Sequence, residues 1–492
     1  MKACRHLALF ALLVLVTGLG VTASQADISL AQTAPRPNIL FIMGDDLRAS
    51  DLDYMPNTQN LLTSQGVKFT KAWTTRSLCC PSRATTLRGQ YAHNHKVWVN
   101  VEPSGGFWSF LDQGHESSTV ATWLNSAGYD TVLIGKYLNR YGLDRDGNYN
   151  PTPHVPPGWN EWYAWEGMYT GTDTSYKLNE NGRIVTYQRS QFHDTDLHAD
   201  QAVRFLTEHA NDPLRENTPF FMYLAPNAPH NPAFFAPRHA NMFLSTPLPR
   251  PSSFNEADVS DKPQWVRNKS LLSSTEISNL TNFYRKRLRA LQSLDEMVER
   301  LVRTLEKQGQ LSNTYIVFTS DNGIYLGEHR LTEKAAAYNA APRVPLLIRG
   351  PGVPRGVTRS QMALNNDLAP TFASWAGISP PSFVDGRSLA PLLSASPPAS
   401  WRTAFLVEHR QTREEFGYVR AIPNYDAIRT AQYNYVEYET GERELYDLNA
   451  DPTELTSLHT SAAHSAVISN LKARLDALKS CAGQTCSTAE GG

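Results

Sequence analysis

Apolar positions in this chain follow two periods. Four stretches are apolar or β-branched with almost no interruption: Asn38–Met43, Thr131–Ile134, Phe220–Leu224 and Thr314–Phe318. Continuous runs of this length predict strands buried on both faces. Between the last two runs the period lengthens, and Leu280, Tyr284, Leu288, Leu291, Met297, Leu301 and Leu305 mark one long helix or a helix pair. Alternation of strands and helices predicts an α/β fold, with a largely parallel sheet covered on both faces. Each apolar run ends in polar residues: Gly44-Asp45-Asp46, Gly135-Lys136-Tyr137, Ala228-Pro229-His230-Asn231-Pro232 and Ser320-Asp321-Asn322. In such sheets a ligand sits beyond the carboxyl ends of the strands. All four polar clusters are expected there, in one shared site.

The pattern changes near Pro380-Pro381 and again over 394–400. Beyond it, Thr403–Glu408, Gly417–Ile422 and Tyr433–Tyr438 read as short strands, Glu444–Leu448 precedes an Asp451-Pro452 turn, and a helix is expected from about Ala463 to Leu478. This predicts a small α+β domain with an antiparallel sheet over 400–486, after a catalytic domain over 37–390. The connection from Tyr141 to Tyr187 is rich in Gly, Asn, Pro, Trp and Tyr and reads as irregular, either shaping a pocket or running over the surface.

The first residues add a compartment. Lys2 and Arg5 precede an apolar run from Leu7 to Val21, and Ser24-Gln25-Ala26 has a small-x-small pattern. This reads as a signal peptide over 1–26, with export to a secreted or periplasmic location, or an extracellular or lysosomal one in a eukaryote. The run is shorter than the roughly 20 apolar residues of a membrane span, so no span is expected after cleavage. Net charge over the 492 residues is −1, which argues against a nucleic-acid partner. Of five cysteines, Cys481 and Cys486 stand close together and read as a local disulfide in an oxidising compartment. Asn268-Lys269-Ser270 and Asn279-Leu280-Thr281 are glycosylation sequons, meaningful only in a eukaryotic host.

The remaining pair, Cys79-Cys80, is followed by Pro81-Ser82-Arg83 and then Leu87-Arg88-Gly89. A cysteine at the start of a helix sits where unpaired N–H groups and the dipole favour negative charge. Arg83 adds a planar cation one turn on. From residues alone, disulfide partners or buried thiols remain alternatives. The whole run resembles the sulfatase signature Cys-x-Pro-Ser-Arg-x-x-x-Leu-x-Gly. In that family the first cysteine is oxidised to formylglycine, which assigns this role to Cys79 and makes a formylglycine-generating maturation enzyme a required partner.

Asp45 and Asp46 are adjacent carboxylates, and a divalent cation is one way to keep both ionised. Asp321 and Asn322 add a carboxylate and an amide oxygen. Hard oxygen ligands describe Ca²⁺, with Mg²⁺ the alternative, rather than zinc. These four positions resemble the sulfatase metal site, where formylglycine lies close by, so Cys79 joins the ligand set. Lys136, His230 and Lys334, in Gly-Lys-Tyr, Ala-Pro-His-Asn-Pro and Gly327-Glu328-His329 contexts, resemble the family's catalytic motifs. With Cys79 and Arg83 they form the candidate catalytic set. Lysines neutralise sulfate oxygens, and a His or Lys protonates the leaving alcohol. His329 is expected to order its loop.

The resemblance runs from Pro37 to Cys486 and implies an alkaline-phosphatase-like sandwich. Gly135–Asn139, Val155–Trp159 and Cys79-Cys80 are similar to the N-acetylglucosamine-6-sulfatase branch, which also holds the heparan endosulfatases. It implies hydrolysis of sulfate esters, on 6-O-sulfated N-acetylglucosamine or related glycans. One hydroxyl of the hydrated formylglycine attacks sulfur and displaces the alcohol. The other then loses its proton and collapses to the aldehyde, expelling sulfate. Leu138 stands where many arylsulfatases have a histidine, with His93 and His95 as candidate substitutes. Asn339 stands where a glutamate often follows the tyrosine. The endosulfatases' long basic insertion is absent, which argues against extended polyanion binding, and Arg285, Lys286, Arg287 and Arg289 read as a solvated helix face. Two rivals stay open: a phosphomonoester or phosphonate hydrolase on the same fold, and a non-catalytic glycan-binding protein if Cys79 is unmodified.

Overall fold

The computed structural model describes residues 36–167, 174–215, 217–411 and 421–492. The signal-like segment 1–26 lies outside them. Among the described residues, twelve strands precede the C-terminal part: β1 (Asn38–Gly44), β2 (Val67–Phe69), β3 (Ala72–Trp73), β4 (Asp130–Gly135), β5 (Glu161–Glu166), β6 (Ser175–Glu180), β7 (Arg183–Gln188), β8 (Phe220–Ala225), β9 (Thr314–Ser320), β10 (Leu346–Arg349), β11 (Val357–Arg359) and β12 (Ala363–Leu364). All but β3 and β12, which pair with each other, form one ten-stranded sheet in the order β11-β2-β10-β9-β1-β8-β4-β5-β6-β7. The centre, from β9 to β5, is parallel, and antiparallel strands flank it.

Strand β1 shows why the centre reads as uninterrupted apolar sequence. Ile39, Phe41 and Met43 enter one core with Ala84, Leu87 and Phe372, while Leu40 and Ile42 enter the opposite core with Leu288, Leu291 and Val298. Successive side chains point to opposite faces, so a strand covered on both sides has no polar face to show. The second core rests on a helix of 34 residues, Ser274–Lys307. Ser273 caps it, accepting from Glu276 N–H while Glu276 accepts from the Ser273 N–H.

The Tyr141–Tyr187 connection departs from expectation, because it contains β5, β6 and most of β7. Trp162, Ala164 and Leu178 are fully buried. Gly, Asn and Pro fill the turns around these strands and dilute the local apolar signal. Segment 168–173 lies outside the described residues.

At the C-terminal end, β13 (Ala404–His409), β14 (Tyr425–Thr430), β15 (Tyr433–Tyr438) and β16 (Arg443–Asp447) form an antiparallel sheet in sequence order. A helix, Ser465–Lys479, packs on it. The expected strand at Gly417–Ile422 is not where the second strand lies: Gly417–Arg420 fall outside the described residues, Ile422 is irregular, and the strand starts at Tyr425. Trp73 and Tyr91 share one apolar cluster with Phe405, Tyr425 and Tyr435. Cys481 and Cys486 are bonded to each other. Among the described residues no helix is long and apolar enough to cross a membrane.

Candidate active site

The helix Cys79–Arg88 is completely buried, and each residue of its motif has a task. Cys79 opens the helix after Leu78, which has extended backbone. Leu78 offers no capping side chain, and Asn100 Oδ1 instead accepts the Cys80 N–H at 2.9 Å. Pro81 occupies a first-turn position whose N–H would have no partner within the helix. Ser82 Oγ donates to the Asp321 carbonyl at 2.5 Å. Arg83 Nε donates to Asp321 Oδ2 at 2.9 Å and Arg83 Nη1 to the Lys136 carbonyl at 2.9 Å. Leu87 fills the core. Gly89 ends the helix at φ +68, where an added Cβ would lie 2.9 Å from Val384 Cγ1.

The strand ends converge on Cys79. Asp45 and Asp46 follow β1, Lys136 follows β4, His230 lies beyond β8, and Asp321 and Asn322 follow β9. The Cys79 Sγ is 3.6 Å from Asp45 Oδ1, and Lys334 Nζ is 2.9 Å from the same sulfur. Lys334 also donates to Asp46 Oδ1 at 2.5 Å. Lys136 Nζ pairs with Asp45 Oδ2 at 2.6 Å. His230 Nδ1 lies 2.7 Å from the Asn231 carbonyl, which only accepts, so Nδ1 carries a proton. His230 Nε2 is turned to Asp46 Oδ2 at 3.7 Å. Asp45, Asp46, Cys79 and His230 present ligand-type atoms within 4.8 Å of one another. Asp321 stands against them, its Oδ1 accepting the Asp46 N–H at 3.1 Å.

The electrostatics are those of crowded buried charge. Burial opposes ionisation of Asp45, but Lys136, His230, Arg83 and Lys334 outweigh it and hold the carboxyl far below its usual range. Burial likewise opposes ionisation of Asp46, and Lys334 and His230 again prevail. For Asp321 the balance reverses, since burial and the neighbouring Asp45 charge push its carboxyl up despite Arg83 and Lys136. Burial also raises the Cys79 thiol well above its usual range, against the pull of Lys136 and Lys334. The Cys80 thiol is pushed up to about 12 by burial. It packs into the apolar core instead of the site.

A cation fits this donor set. The Asn322 Oδ1 is buried without a hydrogen-bond partner. An orphaned amide oxygen beside three crowded carboxylates is an arrangement that a hard oxygen-seeking cation relieves. The site opens into a cavity of about 1310 Å³. Asp45, Asp46, Cys79, Lys136, His230 and Lys334 line its floor, and Asn227, Asn139 and Trp165 add to its walls.

Two expected substitutes do not reach the cavity. His93 pairs with Glu408 at 3.1 Å and lies 2.8 Å from the Cys481 carbonyl. His95 is buried against Thr85 Oγ1 at 2.9 Å. Both belong to the packing behind the Cys79 helix. His329 binds Glu256 at 2.7 Å and stacks on Tyr338, ordering its loop. Asn339 ties to Pro452 and Glu454. Arg287, read as solvated, is fully buried and reaches the Asp46 carbonyl. Its spacing from Leu280 and Tyr284 carried that signal, because positions seven and three apart share a helix face.

A family model described as Sulfatase matches residues 37–378, and one described as N-sulphoglucosamine sulphohydrolase, C-terminal, matches 327–481. The chain belongs to the sulfatase family. It has the alkaline-phosphatase-like sandwich of that family. The human N-acetylglucosamine-6-sulfatase is 34% identical over 97% of this chain and 90% of its own length. The Drosophila melanogaster extracellular sulfatase SULF-1 homolog is 36% identical over 78% of this chain. The sulfatase spans only 34% of that relative's length, and 52% of a Caenorhabditis elegans homologue. A solved structure of BT4656 in complex with its substrate D-glucosamine-2-N,6-O-disulfate superposes with a TM-score of 0.73, at 25% identity, over 90% of this chain and 97% of its own.

Proposed function

We propose that this sulfatase removes 6-O-sulfate from N-acetylglucosamine or related glycans, using formylglycine made from Cys79 and one bound divalent cation. The observation that carries the reading is the convergence on Cys79, where Lys334 Nζ stands 2.9 Å and Asp45 Oδ1 3.6 Å from one sulfur that lines a cavity of about 1310 Å³. The substrate class is supported by the human relative, matched over 90% of its length, and by the neighbour that holds a glucosamine disulfate.

Asp45, Asp46, Asp321 and Asn322 would hold the cation, with the group at position 79 beside them, and Ca²⁺ or Mg²⁺ suits their oxygen atoms. When bound, the cation would supply positive charge that offsets the sulfate's. Formylglycine supplies a hydrated aldehyde in place of a thiol that burial keeps protonated. The chain's own residues do the rest. Lys136 and Lys334 face the sulfate and offset its charge as the S–O bond breaks. His230 gives a proton from Nε2 to the leaving oxygen, while its Nδ1–H stays on the Asn231 carbonyl and fixes the ring. Arg83 holds Asp321 and the Lys136 backbone in place. The maturation enzyme must act before burial of the Cys79 helix, because Cys79 is only 1% exposed. Export, to a secreted or periplasmic location, is supported by the Cys481–Cys486 bond.

A phosphonate monoester hydrolase from Silicibacter pomeroyi shares the fold at a TM-score of 0.71 and 24% identity. The test therefore pairs mass spectrometry of the peptide spanning Cys79 with turnover of 6-sulfated N-acetylglucosamine, aryl sulfates, phosphate esters and phosphonates. Formylglycine at position 79 with preferred release of sulfate from the sugar is expected. An intact thiol in active protein, or faster hydrolysis of phosphorus esters, would overturn the reading.

A further inference from the structure

The cavity of about 1310 Å³ exceeds the roughly 300–1,000 Å³ that encloses a drug-sized ligand. A single sulfated sugar at the floor leaves its outer part empty. That part is walled by 269–272 and by the first turns of the helix Ser274–Lys307. Asn279, Asn282, Phe283, Lys286 and Arg289 line it, at spacings of three and four that form one stripe along the helix. The stripe runs for about 15 Å at 1.5 Å per residue.

Among the described residues its cations have no acidic partners. Lys286 is exposed, and Lys269 Nζ sits 5.9 Å from the Trp265 ring centroid. Arg289 spends Nε and Nη1 on the carbonyls of Arg285 and Ala240 and lies over Phe235. Among the described residues none of the three pairs with a carboxylate. Farther along the same helix the pattern differs, since Arg300 pairs with Asp200 and Arg303 with Glu299. Glu276, the carboxylate nearest the stripe in sequence, is engaged by Ser273 N–H at 2.8 Å and Ser273 Oγ at 2.7 Å. Arg330 donates to the carbonyls of Glu256, Ala257 and Lys269, which fixes the segment carrying Lys269. Burial lowers the affinity of Lys269 and Arg289 for their protons, a cost that a bound anion offsets.

We propose that Lys269, Lys286 and Arg289 form a second anionic subsite, which holds a sulfate or carboxylate on a sugar next to the one being desulfated. The inference rests on the sulfated-glycan reading above and narrows it to polyanionic oligosaccharides. Lys286 is exposed, as a solvated face requires, and the inference adds an anion-binding task to Lys286 and Arg289 on that face, against the expectation of no extended polyanion binding. Charged hydrogen bonds to an anion supply the selectivity, and salt weakens them.

The test compares two oligosaccharides of equal length, each ending in 6-sulfated N-acetylglucosamine, one with uronate and sulfate on the neighbouring sugars and one with neutral neighbours. Wild type is expected to favour the anionic one in kcat/KM by about tenfold, and Lys286→Ala/Arg289→Ala to lose that preference. Binding to the Cys79→Ala protein by calorimetry gives a readout independent of turnover. There, Lys286→Glu/Arg289→Glu is expected to weaken the anionic oligosaccharide by at least about tenfold. Equal binding with and without the charge reversal overturns the subsite. Failure to cleave either sugar while the binding difference stands overturns the catalytic reading and leaves the subsite supported.

Discussion

Arg287 joins the long helix to the loop that carries the adjacent aspartates: its Nη2 donates to the Asp46 carbonyl at 2.8 Å and to Asp51 Oδ2 at 2.7 Å. Asp46 has φ +65, so the chain turns there through the left-handed region and its carbonyl points inward. Asp51 Oδ2 also accepts the Arg48 N–H at 2.9 Å, closing the turn from below. Removing one partner of a buried pair strands the other charge. Arg287→Ala is therefore expected to cost about 3–5 kcal/mol of stability and to weaken metal retention. Urea denaturation and metal content check this, and a loss under about 1 kcal/mol would show the pair to be dispensable.

The two cysteines should separate cleanly. Cys79→Ala is expected to reduce sulfate release by more than about a thousandfold, as loss of a nucleophile does. Cys80 fills core space, so Cys80→Ala should cost about 1 kcal/mol of stability and retain most activity. Equal loss of turnover in both variants would contradict the assignment.

Removing the cation should expose the repulsion among Asp45, Asp46 and Asp321. A chelator is expected to lower the melting temperature. Added Ca²⁺ should restore it, stabilising the fold by about 2.7 kcal/mol at a hundred times its dissociation constant. Asp46→Ala and Asp321→Ala should abolish that response to Ca²⁺. Calorimetry with elemental analysis reads both, and a stoichiometric zinc content in active protein would count against the site.

His198 predicts an acid limb in stability. It is fully buried, neither ring nitrogen has a hydrogen-bond partner, and burial lowers its pKa from 6.5 to about 4. The folded state thus keeps His198 neutral while the unfolded chain protonates it. Its contribution is fully present above about pH 6.5 and is lost progressively as pH falls to about 4, up to about 3 kcal/mol. His198→Leu should flatten the stability curve in that window. An unchanged slope between about pH 4 and 6.5 would refute this.

The sequence alone determined the elements whose cause is local. Continuous apolar runs marked β1, β4, β8 and β9 because strands covered on both faces bury every side chain. The Cys79–Gly89 motif was readable because its residues serve local tasks at one helix: Cys79 and Pro81 start it, Gly89 ends it, Ser82 and Arg83 reach one strand end, and Leu87 fills the core beside it. What the local signal did not contain was decided by tertiary structure. β5, β6 and β7 stayed hidden among Gly, Asn and Pro, since they are defined by pairing with one another at the sheet edge, and β7 buries no residue at all. His93 and His95 sit near Cys79 in sequence yet pack behind its helix, whereas Lys334, 255 residues away, touches its sulfur. The charges on Arg287, Lys286 and Arg289 look alike in sequence. The packing of one helix sends the first into the core and the other two to the cavity wall, because a helix face acquires a neighbour only when distant strands assemble beneath it.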